Sequence, residues 1–231
     1  MPTVLMSLQY FGTTILLAVG ALFPIVDPLG GAPIYLAMTS ELTPEDRARM
    51  ARAVAINSFL LLIASTLIGA YVLDVFGLSI PAVQVAGGAV VCSIGWSLLN
   101  RPSSPAPAAG NSARAMAPSD LGERAFYPMT MPLTVGPGSI SVALTLGANP
   151  PRGLRTLILV NAAHSVGMLI VAVSIYLCYR YAGWIVRTLG TTGTSVVVRL
   201  SAFILLCIGV QIAWNGVEAL LTSALLHSPP R

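Results

Sequence analysis

The sequence predicts an all-α polytopic membrane protein: six transmembrane helices in a 3+3 inverted repeat, with broken first and fourth helices. Three observations predict it. The 231 residues are 55% hydrophobic and only 9% charged, whereas a soluble domain carries about 25% charged residues. Apolar segments recur six times, each near the ~20 residues that cross a bilayer. Two of the six are interrupted at their centres by proline and glycine. Six spans with short connections leave no room for a soluble domain.

The first span covers Ile15–Met38 and starts as early as Tyr10. In the charged stretch that follows, Thr43-Pro44-Glu45-Asp46 has the form of a helix start, with Thr43 as N-cap and Pro44 at the first position. The second span is Ala53–Leu73, and a short turn, Asp74–Pro81, leads to the third, Ala82–Leu99. The stretch Asn100–Arg124 is rich in Pro, Ala, Ser and Gly and reads as a flexible connector. It separates a first repeat, 1–99, from a second, 126–231, with 100–125 between them. The fourth span is Phe126–Gly147, the fifth Leu154–Tyr179 and the sixth Val196–Leu221.

All twelve basic residues are arginine. The three odd-numbered connections hold Arg47, Arg49, Arg52, Arg101, Arg114, Arg124, Arg180 and Arg187. The opposite side holds Arg152, Arg155 and Arg231, with Arg199 at the edge of the sixth span left uncounted. Eight against three places the odd-numbered connections in the cytoplasm and both termini outside. Arginines scattered over helix ends do not make a nucleic-acid surface. Residues 1–14 carry no positive charge and no small-residue cleavage site, so the first apolar segment is expected to stay in the product. Cys92, Cys178 and Cys207 lie in apolar segments without CxxC spacing and read as packing residues.

The first span is interrupted by Phe23-Pro24-Ile25-Val26-Asp27-Pro28-Leu29-Gly30-Gly31-Ala32-Pro33, and the fourth by Met131-Pro132-Leu133-Thr134-Val135-Gly136-Pro137-Gly138-Ser139-Ile140-Ser141. Such runs cannot sustain a regular helix. Aligning Pro28 with Pro137 puts both near mid-segment, and Gly95 aligns with Gly209 in the third and sixth spans. Three spans per half is an odd number, so the halves run in opposite directions. Interrupted backbone survives in hydrocarbon only where protein or a wet cavity satisfies it. The breaks are therefore expected to face each other, with half-helix N-termini near Ala32–Ile34 and Ser139–Ser141. Paired broken helices in an inverted repeat point to a midplane substrate site. The plainer alternative is a pair of kinked helices packed for stability.

The two Pro/Gly runs resemble the first-helix and fourth-helix signatures of the MarC family of inner-membrane proteins. Phe76-Gly77-Leu78-Ser79-Ile80 with Val85-Ala86-Gly87-Gly88 is similar to the start of that family's third helix, and Arg199, Gln211 and Gly216 fit its last. The resemblance covers nearly the whole chain. It implies six spans, an inverted repeat, a bacterial inner-membrane location, and a link to transport of small neutral amino acids such as glycine and alanine; with the arginine count, this puts both termini in the periplasm. Two positions depart from the family pattern: Asp27 stands where Asn is frequent, and Gln84 where a basic residue is common.

Asp27 is the one carboxylate deep in a span. Insertion scales charge about 2.5–3.5 kcal/mol for Asp at a helix centre, so it is expected to face inward. It suits a proton, Na⁺ or a substrate ammonium, and equally the cap of the half-helix that follows. Gly30, Gly31, Thr134, Gly136, Gly138, Ser139 and Ser141 flank the breaks as substrate-binding candidates, with local capping as the alternative for the hydroxyls. Asn57 and Asn161 suit either an ion pathway or amide bonds between helices. His164, one turn from Asn161, suits a proton relay or packing. Gln211, Asn215 and Glu218 share one face of the last helix and are placed along the pathway, with Glu218 near the interface.

The leading function is secondary transport of a small polar or zwitterionic solute by alternating access. A channel or facilitator, and a membrane protein without transport activity, are the alternatives. An enzyme is not expected: an intramembrane aspartyl protease needs two deep carboxylates, and a zinc protease needs HExxH. No cofactor is called for beyond a coupling Na⁺ or H⁺. The partners are a small-molecule substrate and the bilayer. Small-residue faces such as Gly87-Gly88 suit internal packing or a homo-oligomer contact.

Overall fold

The computed structural model describes residues 2–100, 121–148 and 153–226, and every regular element among them is helical. In chain order these are α1 (Pro2–Val26), α2 (Pro28–Met38), α3 (Pro44–Val75), α4 (Ile80–Leu99), α5 (Leu121–Arg124), a π-helical segment (Ala125–Thr134), α6 (Pro137–Gly147), α7 (Leu154–Arg180) and α8 (Ala182–Leu226). Five helical stretches are long and apolar enough to cross a membrane. A sixth span follows if the bent pair Gly122–Thr134 and Pro137–Gly147, 75° apart, is one crossing. Most of the expected connector, 101–120, lies outside the described residues, as do Arg101, Arg114, Arg152 and Arg231.

Local chemistry accounts for the helix ends. Thr43 caps α3 by accepting the Asp46 N–H at 3.2 Å, and its hydroxyl donates to the Asp46 carboxylate at 2.8 Å. The turn after α3 is tighter than Asp74–Pro81. Gly77 (φ 65°) takes the left-handed position just past the helix. The Gly77 and Leu78 amides return to the Asp74 and Leu73 carbonyls at 3.1 and 2.9 Å, which is the Schellman closure. Ser79 then caps α4 through the Ala82 N–H. The largest departure is in α8, which begins at Ala182 rather than Val196. A short arm precedes Gly190 (φ 67°), where the backbone leaves helical geometry before the long span.

The third and sixth spans, α4 and α8, run antiparallel with their backbones in close approach. Pro81 lies against Gly216, Gly88 against Gly209 and Ala213, and Gly95 against Ala202 and Leu206. The glycines recur every seven residues on each helix, so they share one face and let the backbones meet, as small residues do between membrane helices. The Cys92 thiol donates to the Leu206 carbonyl across this seam.

The broken spans pack against the remaining helices on one side. α1 packs on α7, and α2 on α7 and α8; the π-helical segment packs on α3, and α6 on α3 and α4. Thr66 ties α3 to α6 by donating to the Ala143 carbonyl at 3.0 Å.

The seam gives a stability test. A Cβ at Gly88 would lie 2.5 Å from the Ala213 nitrogen and 2.6 Å from the Gly209 oxygen, backbone atoms that cannot swing aside. Gly88→Ala is expected to cost about 1–3 kcal/mol, read as a lower thermal unfolding midpoint of the purified protein. Gly20→Ala, with nothing within 4 Å, should leave the midpoint unchanged or raise it.

Candidate functional site

The first break is a single residue. Asp27 adopts left-handed geometry (φ 44°, ψ 63°) between α1 and α2, and it is the one non-glycine residue with positive φ among those described. Such a conformation costs roughly 1–2 kcal/mol and suits Asp and Asn best, because their side chains bond locally. Asp27 does so: its Oδ1 accepts the Gly30 N–H at 3.0 Å. The α2 half-helix therefore starts at Pro28, earlier than the Ala32–Ile34 expected from the sequence. Pro24 and Pro33 sit within helices. Proline at the first helical position loses no bond, and the preceding carboxylate caps the turn.

The far end of α2 is closed by the opposite charge. The Arg47 guanidinium donates to the Thr39 carbonyl at 2.9 and 3.2 Å and to the Leu42 carbonyl at 3.3 Å. An anion at the N-terminus and a cation at the C-terminus both favour the helix dipole.

The second break extends further than the sequence suggested. From Ala125 to Thr134 the backbone winds in the wider π form, with non-helical geometry at Tyr127 and Met131. Pro128 and Pro132 supply no N–H, so carbonyls of the regular ladder lose their donors. Threonines take some of them over: Thr130 Oγ1 donates to the Ala125 carbonyl and Thr134 Oγ1 to the Met129 carbonyl, each at 2.7 Å. The chain turns at Val135–Gly136, and α6 starts at Pro137, again earlier than Ser139–Ser141. Gly136 stands at the cap position and has no side chain to close this end. The two half-helix N-termini thus differ: one is covered by a carboxylate, the other is not.

Tyr179, at the end of α7, joins the breaks. Its hydroxyl shares a 2.9 Å hydrogen bond with Thr134 Oγ1 and lies 2.8 Å from where a Cβ on Gly31 would be. Its ring stacks on Tyr35, with centroids 4.4 Å apart and planes 13° from parallel. The Tyr35 hydroxyl in turn donates to the Arg47 carbonyl at 2.6 Å. Both tyrosines are fully buried. Ser201 of α8 stands beside the first break: its Cβ would meet any side chain added at Gly30.

The structure thus brings together Asp27, Gly30, Gly31 and Thr134, and adds Tyr35, Tyr179 and Ser201. Tyrosines near span ends carry no local signal that separates a site residue from an interfacial one. Ser201 carried no signal above other membrane serines.

The remaining candidates distribute differently. Gly138 packs against Val91 of α4, and Ser139 is buried beside it. The Ser141 hydroxyl donates to the Val83 carbonyl at 3.2 Å, seating α6 on α4. Gln84 donates to Thr145 at 3.0 Å on the same contact. Asn57 is half-buried on α3. Asn161 and His164 line a cavity of about 10 Å³ between α3 and α7, with Thr66, Ser165 and Met168. That is room for about one water. His164 is 7% exposed, and its Nδ1 has no partner among the described residues. Gln211 does not line the interior: it and Asn215 bond each other at 2.8 Å on the outward face of α8. The buried face of that helix is Ala202, Leu205, Gly209, Ile212 and Gly216.

Comparison with known proteins gives a consistent picture. A family model described as MarC family integral membrane protein matches residues 12–221. A Salmonella typhimurium protein named inner membrane protein MarC is 30% identical over 199 residues, covering 85% of this chain and 90% of its own length. A protein of the same name from Escherichia coli is 29% identical over 200 residues, with the same coverage. No solved structure matches.

The cap at the first break can be separated from its charge. Asn caps a helix as well as Asp and tolerates left-handed geometry. Asp27→Asn is expected to leave the unfolding midpoint nearly unchanged. Asp27→Ala loses both benefits and should cost about 2 kcal/mol, measured as a fall in thermal stability in detergent.

Proposed function

The chain belongs to the MarC family of integral membrane proteins, and from that premise we propose that it is a secondary transporter of a small zwitterionic solute, with small neutral amino acids such as glycine or alanine as the substrate class. The observation that carries this reading is the convergence of two chemically unlike helix breaks on Tyr179. At one, Asp27 presents a carboxylate for an ammonium group or a coupling Na⁺ or H⁺. At the other, the uncapped start of α6 presents the Gly138 and Ser139 amides, which suit a carboxylate. A small amino acid carries both complementary charges.

Alternating access would come from one half rocking against the other about the paired breaks. The inverted repeat behind this motion has support in the packing. Exchanging the first three spans for the last three leaves the packing scheme unchanged: α2 rests on α7 and α8, while α6 rests on α3 and α4. The alignment of Gly95 with Gly209 also pairs Gly88 with Ala202. It turns the contact Gly88–Gly209 into Ala202–Gly95, and both contacts are present. Likewise Gly87 pairs with Ser201; the first meets Ser141 of α6 and the second Gly30 of α2.

In the orientation set by the arginines, the Tyr35–Tyr179 stack closes the route from the breaks to the cytoplasm, because it rests on Arg47 in the first cytoplasmic connection. His164 with Asn161 is placed on the other route as a proton or water site. The relatives are named inner membrane proteins, and we assign this chain to the same membrane, with both termini periplasmic.

The reading is tested by uptake of radiolabelled glycine and alanine into proteoliposomes under imposed Na⁺ or H⁺ gradients. Wild type is expected to accumulate at least one of them against its gradient. Asp27→Asn, which keeps the cap and removes the charge, should lower uptake at least about tenfold, the effect of ~1.4 kcal/mol of lost binding or coupling. Tyr179→Phe should slow uptake less severely by freeing Thr134. If wild type moves neither solute under any gradient, the amino-acid assignment fails. Passive equilibration without accumulation would point to a facilitator.

A further inference from the structure

The outward face of α8 carries two amides at a depth where hydrocarbon surrounds the protein. Arg199 and Glu218 are both exposed on this helix and lie 19 residues apart, or about 28 Å at 1.5 Å per residue. That matches the ~30 Å apolar thickness of a bilayer. Gln211 and Asn215 fall between them and are exposed, opposite the buried Ala202, Gly209 and Gly216. Their neighbours are lipid-like: Val210 is 56% exposed and Trp214 58%.

Exposed hydroxyls in this protein return to their own helix, as Thr13 does to the Gln9 carbonyl and Thr222 to the Glu218 carbonyl. The two amides satisfy each other only in part. Gln211 Nε2 donates to Asn215 Oδ1 at 2.8 Å, which leaves the Gln211 carbonyl oxygen and the Asn215 amide hydrogens without partners among the described residues. Lipid tails supply neither donor nor acceptor, so such groups favour contact with another helix.

We propose that this face of α8 binds a second copy of the chain through reciprocal Gln211–Asn215 hydrogen bonds across a two-fold axis along the membrane normal. The pair is self-complementary: each copy brings one spare acceptor and spare donors, one turn apart on the same exposed face. A two-fold axis matches the acceptor of one to the donors of the other twice over. Val210 and Trp214 supply apolar packing around these bonds. The inference stands on the exposed amides and is independent of the transport reading.

The test uses the full chain, tagged with a fluorescent protein, in phosphatidylethanolamine–phosphatidylglycerol vesicles at decreasing protein-to-lipid ratio. Single-molecule photobleaching is expected to show two-step traces that dilute into single steps. Cys207 is exposed one turn before Gln211, so a short bismaleimide should link two copies there in a Cys92→Ser/Cys178→Ser background. Gln211→Leu with Asn215→Leu should weaken association about tenfold or more, as lost interhelical hydrogen bonds of this kind imply. Its thermal midpoint should remain that of wild type. If the double variant does not fold, Gln211→Ala alone gives the same readout with a smaller shift. Single-step bleaching of wild type at every ratio, undiminished dimer in the amide variants, or a dimer that Cys207 does not link would each overturn the proposal.

Discussion

Backbone amides that lose their helical partners inside hydrocarbon must find others, and this requirement shapes the whole chain. At the first break the supply comes from a side chain, as Asp27 turns left-handed and takes the Gly30 N–H. At the second it comes from threonine hydroxyls and a wider helical winding that absorb the carbonyls two prolines leave behind. Around the breaks, α2 packs on α7 and α8, and α6 on α3 and α4.

That packing needs a rigid frame, and the α4–α8 seam provides one. Glycines at seven-residue spacing bring the two backbones into direct contact, which leaves no soft side-chain layer between the halves at that point. Elsewhere the links between helices are single hydrogen bonds: Thr66 to Ala143, Ser141 to Val83, Thr134 to Tyr179. Small packed interfaces tend to hold discrete arrangements rather than deform continuously.

Much of this was legible in the sequence, for identifiable reasons. Hydropathy located the spans because lipid imposes a length on them, and the capping chemistry at Thr43 and Asp27 was readable because it is local. The half-helices start before the Ala32–Ile34 and Ser139–Ser141 that the sequence predicts, since Pro28 and Pro137 mark helix beginnings as well as breaks. The arm before Gly190 is not legible because a left-handed glycine inside an otherwise helical run leaves little trace in hydropathy. Tyr35, Tyr179 and Ser201 were not legible as site residues. Their importance lies in which distant segments they touch, and one sequence does not encode that in any local pattern. The spacing of Gln211, Asn215 and Glu218 places them on one face of the last helix, and only the buried stripe of α8 shows that this face points outward.

The unequal capping of the two breaks has a consequence beyond stability. One half-helix begins under a carboxylate and the other begins bare. A dipolar solute held between them would find the two ends of its berth inequivalent and could lie only one way round. Under the proposed transport it would keep that heading throughout, facing the first half with the same end whichever side of the membrane it came from.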